Sequence, residues 1–111
     1  MKDREKFLRV HLYEFEDEKN GRYVNADFFN DALTFSGYET GDDVEGFWGE
    51  DDYEYWYKLD PENTQKLMEI IGGVEDPAGA ILREFGGIKA CSHLCEICDA
   101  NGIEYHFESY V

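Results

Sequence analysis

Apolar and polar side chains alternate at both ends of the chain, as they do in strands with one buried face. In residues 7–15, every second residue from Leu8 to Leu12 is aliphatic, and residues 103–111 alternate Ile, Tyr and Phe with Glu and His. Residues 53–59 alternate as well and are rich in tyrosine, a residue type that favours strands. The sequence therefore predicts three strands.

The segment between the first two strands is predicted to be a helix. A turn at residues 18–21 leads to Asn25, a residue type that caps helix starts, and Gly37 marks the end. The apolar residues between them follow a helical spacing. They are Phe28, Phe29, Ala32, Leu33 and Phe35.

Three more helices are predicted in series after the second strand. Asp60 and Asp76 each stand before a proline, which gives a capping residue and a proline at the first helical position. A Gly-Gly pair then ends each helix, and residues 88–100 form the third.

These elements predict an α+β fold in the order βαβαααβ. The expected architecture is a small, mostly antiparallel three-stranded sheet with three to four helices packed on one face. The chain shows no internal repeat and no low-complexity linker, so residues 1–111 are expected to form a single domain.

Composition and charge exclude several functional classes. The chain has 111 residues, of which 42% are hydrophobic, and a formal net charge of -16 with an isoelectric point near 4.3. The aromatic content opposes disorder, and the charge opposes direct binding to nucleic acid or anionic lipid. No apolar run approaches the roughly 20 residues that cross a bilayer, and the N-terminus lacks a signal-peptide core. We expect a cytoplasmic protein in a reducing compartment, without cofactors.

The negative charge is concentrated in a segment that is also aromatic. Residues 39–54 contain eight carboxylates and no Lys or Arg, with Phe, Trp and Tyr interleaved. Binding surfaces often combine large rings with charges that orient a partner. The predicted partner-binding residues are Glu39, Asp42, Asp43, Glu45, Trp48, Glu50, Asp51, Asp52, Glu54 and Trp56.

In size, acidity and the stretch TGDDVEGFWGEDDYEYW at residues 40–56, the chain resembles small DNA-mimicking inhibitors of phages and mobile elements, including anti-CRISPR proteins. The resemblance implies a non-enzymatic inhibitor that occludes the basic groove of a nucleic-acid-processing protein. It is equally compatible with an immunity protein that neutralises a basic toxin, with Trp48, Tyr53 or Trp56 as anchoring residues. The partner's identity and the oligomeric state stay open.

The acidic segment has two other interpretations. Its carboxylates can serve only to keep the protein soluble, with the aromatic rings in the core. Calcium is disfavoured because the spacing around residues 42–46 does not match the loop of an EF-hand.

Cys91, Cys95 and Cys98 form a second cluster of chemically distinctive residues. Their helical spacing places them on one stripe, which favours core cysteines over a zinc site. A metal site would need His11 or His106 as a fourth ligand. A small zinc-dependent or thiol-dependent protein is therefore the remaining alternative.

Overall fold

The computed structural model describes residues 7–41 and 52–110, and these form a five-stranded antiparallel sheet with three helices in an α+β fold. The strands lie side by side in the order in which they occur along the chain. The helices are inserted between the fourth and fifth strands. The elements are β1 Phe7–Glu16, β2 Asn20–Phe29, β3 Ala32–Gly41, β4 Asp52–Leu59, α1 Pro61–Ile71, α2 Pro77–Phe85, α3 Ala90–Asn101 and β5 His106–Tyr110.

The predicted three-stranded sheet and the order βαβαααβ are wrong, because residues 25–37 form part of a β-hairpin and not a helix. Strands β2 and β3 are joined by a two-residue turn at Asn30 and Asp31, whose φ angles are 50° and 71°. Asn and Asp tolerate this left-handed conformation, which the commonest two-residue hairpins require. The apolar residues assigned to a helical face are therefore divided between two paired strands.

A bulge in β1 changes which side chains face the core. The pairing with β2 shifts between His11 and Tyr13, so that Leu12 is an extra residue in the strand. Its carbonyl accepts a hydrogen bond of 3.0 Å from the backbone N–H of Gly87, which lies between α2 and α3. Because the bulge reverses the alternation that follows it, Glu14 lies on the same face as Arg9.

The predicted helix caps are confirmed for α1 and α2. The Asp60 carboxylate accepts a 2.8 Å hydrogen bond from the backbone of Asn63, and Asp76 accepts one of 3.1 Å from Gly79. Helix α1 ends at Gly72, which has a left-handed φ of 74°. Helix α3 begins at Ala90, slightly later than predicted. In the part of the chain that the structure describes, no helix has the length and apolar character needed to cross a membrane.

The core lies between the helices and one face of the sheet. Phe35 and Phe85 meet edge to face with ring centroids 5.1 Å apart, which joins β3 to α2. The buried apolar residues of the strands all point to this side of the sheet. They are Val10, Leu12, Val24, Ala26, Leu33, Phe35 and Leu59.

Candidate functional site

The face of the sheet opposite the helices is a continuous surface of polar and aromatic side chains, which we call the open face. It follows from the register of all five strands, since residues paired across neighbouring strands share a face. Its residues are Phe7, Arg9, His11, Glu14, Glu16, Tyr23, Asn25, Asp27, Phe29, Ala32, Thr34, Ser36, Tyr38, Thr40, Asp52, Glu54, Trp56, Lys58, His106, Glu108 and Tyr110.

Negative charge is in excess on the open face. Among the described residues, it carries six carboxylates against two side chains of Lys or Arg. The carboxylates belong to Glu14, Glu16, Asp27, Asp52, Glu54 and Glu108. Tyr23, Tyr38, Trp56 and Tyr110 lie among them, so large rings and acids alternate across the surface.

Both cations of the open face are already engaged by carboxylates across strands. Arg9 donates two hydrogen bonds to Asp27, from Nε at 2.8 Å and from Nη2 at 3.0 Å. The Nζ atom of Lys58 donates to Glu108 at 3.0 Å. Each pair neutralises its own charges locally, so the surplus rests on the remaining acids.

One of the remaining acids accepts hydrogen bonds from two hydroxyl groups. Asp52 accepts from the Tyr38 hydroxyl at 3.1 Å and from the Thr40 hydroxyl at 3.2 Å. Burial, followed by this hydrogen bond, raises the pKa of Tyr38. Burial and the negative charge of Glu16 likewise raise the pKa of Tyr23, so both tyrosines stay neutral at physiological pH.

Glu54 differs in its burial from the exposed carboxylates of the open face. Within residues 7–41 and 52–110 it forms no hydrogen bond and no ion pair through its side chain. It is half-buried and stands directly across from Tyr38 in the β3–β4 register. The structure thus leaves one partly enclosed negative charge without a counter-charge from the described residues.

A depression of about 200 Å³ lies beside Glu54 on the open face. Its lining includes Tyr23, Tyr38, Trp56 and Ser36. The two tyrosine rings have centroids 6.1 Å apart and planes inclined by 29°. The lining thus combines two neighbouring tyrosine rings and an indole with the smaller side chain of Ser36.

The structure brings three of the ten predicted partner-binding residues together. Asp52, Glu54 and Trp56 alternate along β4 and share the open face. Glu39 lies on the opposite face, where its carboxylate is 3.8 Å from Nε of Arg22. The other six lie outside the described residues: Asp42, Asp43, Glu45, Trp48, Glu50 and Asp51.

Sequence reasoning missed the contribution of β1, β2 and β3 to this surface. Glu14, Glu16, Tyr23 and Tyr38 join the acids of β4 only because the chain forms a meander. The signal that would have found them is the pair Asn30-Asp31, a turn sequence between two runs that also alternate with a period of two.

The three cysteines lie on the helix side of the sheet, against a layer of tyrosines. Cys98 is fully buried, whereas Cys91 and Cys95 are partly buried. The Tyr105 hydroxyl donates a hydrogen bond of 3.5 Å to Oδ1 of Asp99, and the Tyr105 ring lies beside that of Tyr57, with centroids 5.9 Å apart. Burial raises the pKa of Cys91 to about 12 and that of Cys98 to about 11. Neutral thiols of this kind are poor nucleophiles.

The described part of the chain contains no set of side chains arranged to bind zinc. There, no three side chains of His, Cys, Asp or Glu are placed to hold one metal ion. His11 and His106, the proposed distant ligands, lie on the open face, across the sheet from the cysteines.

Comparison with known proteins gives no relative: no protein-family model, no curated protein and no solved structure matches this chain.

Proposed function

We propose that this protein is a non-enzymatic inhibitor that binds a basic protein through its open face. One observation supports the proposal most strongly. Asp52, Glu54 and Trp56 lie on the same surface as the acids and tyrosines of β1 to β3, and no helix covers that surface. Aromatic rings provide contact area at low entropic cost, and fixed carboxylates orient a cationic partner.

The partner class follows from the charge. A net charge of -16 gives a long-range field that attracts basic surfaces and repels nucleic acids and anionic membranes. Basic grooves built from Arg and Lys are typical of proteins that process nucleic acids, because they neutralise phosphates. Carboxylates held on a rigid sheet can compete for such a groove, so the inhibition proposed here is occlusion.

A capture experiment with two matched variants tests the proposal. The full-length protein is immobilised and exposed to a lysate of its source organism at low and at moderate salt. One variant combines Glu14→Gln, Glu16→Gln and Glu54→Gln on the open face. The control combines Glu62→Gln, Glu69→Gln and Glu75→Gln, which removes the same charge from exposed residues outside the open face.

The expected result is a basic protein retained in a salt-sensitive manner by the wild type and by the control. The open-face variant should bind it at least about tenfold more weakly, because three charge contacts are each worth about 0.5–1 kcal/mol. Displacement by excess duplex DNA supports the mimic, whereas retention of one small toxin despite DNA favours the immunity role. Equal losses for both variants would overturn the open face as the interface.

A further inference from the structure

We propose that the depression beside Glu54 is a binding pocket for one arginine side chain of a protein partner. This inference rests on the function proposed above and assigns the centre of the interface. The four side chains that would recognise the guanidinium are Tyr23, Tyr38, Glu54 and Trp56, all of which line the depression.

The size of the depression limits what can occupy it. Its volume of about 200 Å³ is below the roughly 300–1,000 Å³ of common small-molecule sites, so it accommodates the end of one side chain. The aromatic walls favour a flat group, and the half-buried carboxylate of Glu54 favours a cation. A guanidinium meets both requirements because it is planar, permanently charged and able to stack on rings while donating to a carboxylate.

The other charged groups of the depression do not compete for that cation. The carboxylate of Asp27 accepts one hydrogen bond from Arg9 on each oxygen, and this ion pair offsets the charges of both residues. Asp52, just beyond the depression, accepts two hydroxyl hydrogen bonds. Glu54 is therefore the acid of this group whose charge is available to a partner, as far as the described residues go.

The open face already binds one guanidinium of its own in a similar manner. Arg9 lies with Cζ 5.8 Å from the centroid of the Phe7 ring while its nitrogens contact Asp27. This arrangement combines a ring and a carboxylate across two strands. The pair formed by Trp56 and Glu54 offers the same two groups two residues apart on β4, with no cation from the described residues between them.

The test is an NMR titration of the 15N-labelled full-length protein with three capped tripeptides, Gly-Arg-Gly, Gly-Lys-Gly and Gly-citrulline-Gly. Citrulline keeps the shape of arginine without its charge. The arginine peptide should shift the indole N–H of Trp56, which is assigned with Trp56→Phe, and the amides of Tyr38 and Glu54. We expect the lysine peptide to bind at least about threefold more weakly and the citrulline peptide not to bind.

Variants separate the pocket from general electrostatics. Glu54→Gln and Trp56→Leu should each weaken binding of the arginine peptide by at least about threefold. Glu75→Gln, which removes a distant exposed charge, should leave this affinity unchanged. Circular dichroism confirms that each variant is folded. Equal binding of arginine and lysine, or an unaffected Glu54→Gln, overturns the assignment.

The two proposals fail separately. If the basic partner depends on the open face but the arginine peptide does not bind, the pocket is wrong and the inhibitor function stands. If the peptide binds in the depression but no partner depends on the open face, the pocket stands and the inhibitor function is wrong.

Discussion

Strand β4 presents two different faces, because its side chains alternate between the two sides of the sheet. Tyr53, Tyr55 and Tyr57 point to the helix side, where the rings of Tyr55 and Tyr57 pack with centroids 6.1 Å apart. Asp52, Glu54 and Trp56 point to the open face. Because one residue of displacement moves a side chain from the core to the surface, the consequence of a substitution depends on its face more than on its residue type.

The comparison predicts that stability and binding can be changed independently. Substitutions on the helix side should lower the free energy of unfolding, and substitutions on the open face should mainly change recognition. Matched positions on the two sides of the sheet allow this difference to be measured.

The largest difference is expected between two aromatic residues. Phe85 is 1% exposed and packs on Phe35, so Phe85→Ala should lower the free energy of unfolding by about 3–5 kcal/mol. Trp56→Ala, on the open face, should cost about 1 kcal/mol. Urea titration measures the free energy of unfolding of both variants. If Phe85→Ala does not fold, Phe85→Leu replaces it, with an expected loss of roughly 1 kcal/mol. Equal losses for Phe85→Ala and Trp56→Ala would mean that the open face is part of the folding core.

Neighbouring small residues of β3 give a second comparison. A Cβ atom at Gly37 would overlap the ring of Tyr55, which crosses the glycine from the adjacent strand. Gly37→Ala should therefore destabilise the protein by about 1–3 kcal/mol, although alanine normally suits a strand better than glycine. Ser36→Ala, on the open face, should change stability by less than about 0.5 kcal/mol.

Thermal unfolding of Tyr55→Leu with and without Gly37→Ala identifies the cause. The penalty of the alanine should shrink once the ring is removed, as a contact-specific interaction requires. An unchanged penalty would show that the backbone of β3, and not the tyrosine, requires glycine.

A hydroxyl on each side of the sheet gives a third comparison. The buried Thr64 hydroxyl accepts a 2.9 Å hydrogen bond from the backbone N–H of Leu33, which attaches α1 to the start of β3. Thr64→Val leaves that N–H without an acceptor and should cost about 1–3 kcal/mol. Thr40→Val removes an exposed hydroxyl that donates to Asp52 at 3.2 Å and should cost roughly 0.5 kcal/mol or less. Chemical denaturation distinguishes them, and Thr64→Ser should retain most of the stability.

Some elements of this fold can be predicted from local sequence signals, and others cannot. The starts of α1 and α2 were predicted because capping and proline signals are local, and the structure shows Asp60 and Asp76 in those roles. The hairpin of β2 and β3 was missed because short apolar runs fit helical and strand periods equally well. Only pairing across strands decided between them, and that pairing is not local.

The same limit applies to the candidate site. The sequence indicated that Asp52, Glu54 and Trp56 belong to a binding surface, since acids and rings alternate there, but their role in binding stays a prediction. It could not show that Tyr23 and Tyr38 lie beside them, because this depends on the strand order of the meander. Nor could it show that Glu39 lies on the other side of the sheet, because the register alone determines that.

The smallest predicted effect is a pH-dependent contact within the helical layer. Nε2 of His93 on α3 lies 2.8 Å from the Glu84 carboxylate on α2, and Nδ1 lies 3.5 Å from Glu96. The hydrogen bond with Glu84 is the main cause that raises the pKa of His93, while burial opposes it. A raised pKa means that this stabilisation is complete below about pH 6.5, the ordinary value for histidine, and is lost as the pH rises through the folded-state value.

His93→Gln should therefore cost more stability at pH 5.5 than at pH 8.5. The three side chains are partly exposed, so the difference should be only a few tenths of a kcal/mol and should shrink in high salt. Urea titrations of both proteins at both pH values measure it, and the other titrating groups cancel in the comparison. In the wild type the His106 ring lies on the open face, 3.4 Å from Glu108. The matched variant His106→Gln therefore gives the pH-dependent change in stability for a contact outside the helical layer.

If His93→Gln costs the same stability at both pH values, the contact between α2 and α3 does not depend on the imidazolium charge. Packing of the His93 ring on Phe85, with centroids 5.3 Å apart, then accounts for the contribution of His93.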